Sequence, residues 1–155
     1  MTTTHPEHDT VVELLRRDLE PGEYDAIREL WKRHSKAEDE RDLPALLSTL
    51  TDDCVYEVRG VDRRWEGHEG AARFYMELLG AFPDIHFDLT NIVIGPKGVC
   101  EQARVTATHE RDWLDFPETG EQQTWNVVIF FPWDRDRRLF RGETVYADID
   151  LAGVR

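Results

Sequence analysis

Three side chains have the type and position to move protons. Strand alternation puts Glu143 on one face with Val145, Ala147 and Ile149, a carboxylate among small aliphatic neighbours. Removed from water, such a carboxyl holds its proton more tightly, which brings its titration toward neutrality and suits it to general base work. On a neighbouring stretch Val99, Ala103, Val105 and Ala107 alternate inward, and His109 continues the series as a candidate acid or hydrogen-bond donor. His34, one turn after Trp31, is the second candidate imidazole. The plainer readings are a strand-end glutamate reaching solvent, a turn-side histidine bonded to backbone and a helix histidine satisfied within the core.

The elements that must position these groups follow from periodicity. "TVVELLRRDLEPG" has Thr10 and Glu13 in capping-box spacing, apolar Val11, Val12, Leu14, Leu15 and Leu19, and a Pro21-Gly22 stop, so residues 1–22 read as a tail with a short amphipathic helix. Its apolar stripe must cover core, a pocket mouth or another subunit. A single domain over 23–155 then opens with a long one-sided helix carrying Tyr24, Ile27, Leu30, Trp31 and His34 on one stripe. Asp42 caps a shorter helix with Pro44 in its first turn. In "GHEGAARFYMELLGAFPD", Ala71, Phe74, Tyr75, Leu78, Leu79 and Phe82 share a helix face that ends before Pro83, with Glu69 suited to the first turn. His68 there reads as part of a helix start rather than as a ligand. Four strand-rich stretches follow, parted by turn signals "GPKG", "PETG" and "DRDR", which gives an α+β class with an antiparallel-rich sheet covered by helices on one side.

Composition narrows the partners. The 155 residues carry 19 basic and 32 acidic side chains, a formal charge of −13 that repels phosphate backbones and anionic lipid, so neither nucleic acid nor membrane is expected. That charge reads as a soluble surface rather than a cation site. No long apolar span or secretion leader is visible, and the cytoplasm is the expected compartment. Cys54 and Cys100 read as reduced thiols, and His5 and His8 lie in a polar tail, so no metal or other cofactor is expected. "QTWNVVIFF" is apolar on both faces, which predicts a homodimer through the outer face of the sheet.

Four stretches, "RHSKAEDERDLPALLSTLTDDCVYE", "RWEGHEGAARFYMELLGAFPDIHF", "GVCEQARVTATHERDWLDFPETG" and "FFPWDRDRRLFRGETVYADIDLAG", resemble in order the SnoaL-like polyketide cyclases and ester cyclases. The resemblance implies the nuclear-transport-factor-2-like (cystatin-like) fold, a curved sheet wrapped by three helices into a cone around an apolar pocket, dimerising through the sheet. It also implies aldol closure without metal, using an aspartate and a histidine. The positions that match those two here are Val145 and Ile129, neither of which can carry a proton. The reading is therefore a small, largely apolar organic ligand, with cyclisation or isomerisation through an enol(ate) by Glu143, His109 and His34. A non-catalytic binding module, or a hydrolase or dehydratase of the same superfamily, is the alternative. Tyr56, Trp65, Phe74, Trp113, Trp125, Ile129 and Val145 are the expected pocket walls. The "DWLDFPETG" loop would cover the mouth, and Asp148 would serve structure or the dimer. Asp134, Arg135 and Asp136 resemble the charged trio of the superfamily's epoxide hydrolases but fall in a hairpin turn.

Overall fold

The computed structural model describes residues 10–61 and 63–149. Thr10 and Glu13 form the expected capping box, and helix α1 runs over Val11–Arg16. It ends short of the Pro21-Gly22 stop because Arg17 is already extended; Gly22, with a left-handed φ of 78°, is instead the N-cap of the next helix. Val11, Val12 and Leu15 are exposed, so among the described residues nothing covers the apolar stripe of α1.

Helix α2, Glu23–Asp39, buries Glu23, Ile27, Leu30, His34 and Ala37. Tyr24 departs from the expected stripe: it is exposed, with the Arg28 guanidinium 5.9 Å from its ring centre. Asp42 caps α3, Leu43–Leu47, by accepting the Ala45 amide at 3.1 Å. Strands β1, Leu50–Val58, and β2, Arg63–Glu66, come next, so the chain lays down a hairpin before its last helix. Helix α4, Gly67–Ala81, buries Ala71, Phe74 and Tyr75 on the expected face and gives way at Phe82, ahead of Pro83.

Strands β3, His86–Gly95, β4, Gly98–Thr108, β5, Gln122–Asp134, and β6, Leu139–Ala147, complete one curved sheet in the order β2-β1-β6-β5-β4-β3. Every pairing is antiparallel except β1 with β6. The class is therefore α+β, as expected, with the sheet mixed through that one central pairing. At Gly142 the two parallel strands come so close that an added Cβ would sit 1.9 Å from the Val55 carbonyl oxygen, and φ is 112°. Only glycine fits there, immediately before Glu143.

Two polar ties fix α2 over the sheet. Trp31 on α2 donates its indole N–H to Glu101 on β4 at 3.0 Å. At the N-terminus of α2, buried Glu23 receives Arg135 from the β5–β6 turn through Nε at 2.6 Å and Nη2 at 2.8 Å, and Trp133 Nε1 at 3.1 Å. This explains why "WDRDRR" carries charge in a turn: Arg135 clamps a helix. The guanidinium bond holds the Glu23 carboxyl down at about 2. A folded pKa below the unfolded value means this stabilisation is present above about pH 4.5 and lost as pH falls through about 2. Arg135→Ala leaves the Glu23 carboxylate without its cation and is expected to lower the unfolding free energy. Urea denaturation at neutral pH measures it; a loss below about 0.5 kcal/mol would show that the clamp does not hold the helix.

Candidate functional site

Glu143 stands on β6 beside β1, paired in register with Tyr56, and its side chain points to the helix-covered face. It is 3% exposed. A cavity of about 270 Å³ opens above it, walled by Phe74, Phe82, Trp113, Trp125, Ile129 and Val145 among others, with Glu38 of α2 and Tyr75 of α4 beside Glu143. The polar groups thus come from three elements that the fold brings to one end of an apolar chamber.

Hydrogen-bond arithmetic orders this end. Thr49 has one hydroxyl proton, donated to the Leu46 carbonyl at 2.6 Å. Its oxygen must therefore accept from His34, whose Nδ1 lies 2.7 Å away and so carries a proton. His34 Nε2 then faces Glu143 Oε1 at 2.9 Å, a contact that needs one proton shared between imidazole and carboxyl. Tyr75 donates to the same Oε1 at 2.9 Å. Its single proton being used, the 3.1 Å contact with Glu38 Oε2 carries the proton of Glu38, and the 3.3 Å contact with Tyr56 carries that of Tyr56. Both Glu143 bonds fall on Oε1; no described residue hydrogen-bonds Oε2.

Burial first, and the charge of Glu143 second, push the Glu38 carboxyl up to about 8. The same two causes raise Glu101, behind the cavity on β4, to about 7. The Tyr56 and Tyr75 phenols are likewise raised, chiefly by burial, and stay protonated donors. His34, Glu38 and Glu143 each offer one atom within 4.8 Å of the others, which is the described grouping able to hold a metal ion.

The expected site is partly redistributed. Glu143 and His34 meet directly, and Phe74, Trp113, Trp125, Ile129 and Val145 line the cavity. His109 is corrected: it is buried outside the lining, stacked on Phe82 at 4.8 Å, and neither ring nitrogen has a partner among the described residues. Strand β4 has ended at Thr108, and His109 closes the following loop through backbone bonds to Glu121 and Gly120. Tyr56 and Trp65 are also corrected, since each packs at 5.0 Å against Phe74, which lines the cavity while they do not. His68 sits 3.0 Å from the Leu50 carbonyl, a helix-start contact, and Asp148 accepts the Asn126 amide at 2.6 Å. Trp113 and Phe116 of the "DWLDFPETG" loop both border the cavity.

Four residues were not anticipated. Glu38 lies one turn beyond His34, a spacing that faces it the same way. Glu101 falls within the inward series Val99, Ala103, Val105, and alternation alone would have found it. Tyr75 was legible only as core, because its hydroxyl contact is 68 residues away in sequence. Thr49 gave no signal.

The family model for the SnoaL-like domain matches residues 22–141. Solved structures agree on the fold. A protein named as a SnoaL-like polyketide cyclase from Jannaschia sp. CCS1 has 20% identity, TM-score 0.73, and coverage of 85% of this chain and 91% of its own. AclR of Streptomyces galilaeus, named as a hydroxylase, has 18% identity, TM-score 0.65, and coverage of 83% and 92%. A protein named as a polyketide cyclase from Pseudomonas putida KT2440 has 20% identity, TM-score 0.65, and coverage of 81% and 93%. At these identities the likeness shows the fold alone. Curated proteins give no match.

The raised carboxyls have a consequence for stability. Glu38 and Glu101 bind protons more tightly folded than unfolded, so their contribution is full below about pH 4.5 and is lost as pH rises through about 7 to 8. Thermal midpoints are expected to fall between about pH 6 and about pH 9, and Glu38→Gln to flatten that fall. Parallel curves for the two proteins would remove Glu38 from this role.

Proposed function

The chain belongs to the SnoaL-like domain family, and from that membership and the proton chain beneath the cavity we propose that it binds a small, largely apolar organic molecule and performs acid–base chemistry on it through an enol(ate). The observation that carries the reading is Glu143: buried, lining the cavity, with Oε1 bound to His34 and Tyr75 and Oε2 without a partner among the described residues. Oε2 is the atom for taking a proton from the carbon beside a substrate carbonyl. His34, locked by Thr49, steadies the carboxyl and exchanges the shared proton as charge moves. Tyr75, by turning its single O–H from Glu143 Oε1 to the ligand, is the donor for the developing enolate oxygen, while His34 keeps its hold on the carboxyl. Ring closure or reprotonation at a second carbon completes a cyclisation or an isomerisation.

Val145 and Ile129 favour a second reading. Both line the cavity where the family resemblance expects an aspartate and a histidine, and a cavity that lost that pair is suited to holding a molecule without changing it. Activity of variants on ligands captured from cell extract separates the two. Glu143→Gln is expected to reduce kcat about 100-fold while ligand affinity holds within about threefold, and His34→Ala to act in the same direction. Unchanged turnover in both variants would leave only the binding module.

We also propose the homodimer. Val93 and Tyr146 are exposed on the outer sheet face, with half-buried Val128 and Phe130 between them, an apolar surface suited to a second copy. Sedimentation at micromolar concentration is expected to give twice the chain mass, and Tyr146→Glu to give the monomer; a monomeric wild type contradicts the proposal.

A further inference from the structure

The floor of the cavity has an excess of acid over base. Glu38 and Glu143 flank one imidazole, and among the described residues no lysine or arginine pairs with either. Two arginines border the cavity, but both are exposed and engaged on their own side: Arg41 donates to the Ile85 carbonyl at 3.2 Å, and Arg59 pairs with Glu57 at 3.1 Å. Above the floor stand the rings of Phe74, Tyr75, Phe82, Trp113 and Trp125. Carboxyls at the base of an aromatic chamber match one kind of ligand atom well: a cation on an apolar body, drawn by the carboxylates and by the negative faces of the rings.

We propose that the ligand carries a protonated amine, seated on Glu38 beside Glu143 and enclosed by the aromatic walls. The inference rests on the small-molecule reading above and names the class of molecule. Glu38 suits this role over Glu143, because Glu143 has two hydrogen bonds, from His34 and Tyr75 at 2.9 Å each, whereas Glu38 has one, with Tyr75 at 3.1 Å, stands 3.9 Å from His34 and borders the cavity. Empty, the site keeps a proton on Glu38, the one its 3.1 Å contact with Tyr75 calls for. An arriving ammonium replaces that proton, Glu38 ionises against it, and one proton leaves to solvent. The ammonium then stands close to Glu143 as a donor for negative charge developing on the same molecule. Net acidity elsewhere on the chain adds a long-range pull on cations.

Matched ligands test this by calorimetry on the intact chain: tryptamine, tryptophol and indole-3-acetate, with the corresponding amine, alcohol and acid on phenyl and naphthyl bodies. On at least one body the amine is expected to bind about tenfold or more tighter than its alcohol near pH 7, with the acid weakest. Amine binding should release protons, read from its dependence on buffer ionisation enthalpy. Glu38→Gln, checked for native circular dichroism, should lose both the preference and the release. Alcohols or acids binding as well as amines on every body would overturn the amine while leaving an apolar pocket standing. Binding by none of the bodies would take down both readings. Stoichiometric Zn²⁺ binding through His34, Glu38 and Glu143 without amine preference would also overturn it, assigning the floor to an inorganic cation.

Discussion

A carboxyl group enclosed by valine, phenylalanine and tryptophan must have its proton or its donors provided by neighbours, and Glu143 imposes that requirement on everything around it. His34 has to come from α2, so α2 must cross the sheet at a fixed height. Trp31 bonded to Glu101 and Glu23 bonded to Arg135 set that height, both from the N-terminal side of His34. Tyr75 has to come from α4, whose apolar face packs on β1 and β2. Gly142 lets β6 lie against β1 closely enough for the carboxyl to sit beneath both helices. Helix placement, strand spacing and site chemistry are one problem.

Much of this was legible from local pattern. The apolar stripe and proline stop of α4, the Asp42 cap and the turn signals between strands depend on neighbours within a few residues, and these all appear in the structure. Alternation also placed Glu143 on the inner face. It could not tell inner face from cavity. His109, Tyr56 and Trp65 are all buried, yet each packs against Phe82 or Phe74, which line the cavity while they do not, and which ring reaches the open space is settled by packing across the whole chain. Glu38 and Glu101 were within reach of the same rules applied without the expectation that acids stay outside. Tyr75 was not, since a phenol that serves as wall and as donor has the same sequence signature as one that is only wall.

The polar and apolar parts of the chamber are segregated. Val145 and Ile129 are apolar wall, and the ionisable groups stand two residues earlier on β6 and on the face of α2. The polar end of the chamber lies toward α2 and α4, with aromatic walls beside Trp113 and Trp125. A chamber with its charge at one end orients whatever enters it, because an apolar body and a polar head have only one comfortable arrangement.

Strand β6 is central in the sheet yet follows the other described strands in sequence, wedged between β1 and β5. During synthesis, therefore, β1 and β5 each wait with an unpaired edge until β6 has left the ribosome, and His34 waits for a partner 109 residues downstream. A chain cut before residue 139 would lack the strand that joins the two halves of the sheet. Quality control by the cell's chaperones then has a simple criterion to act on, because a copy that has closed its sheet has, in the same event, finished assembling its interior chemistry.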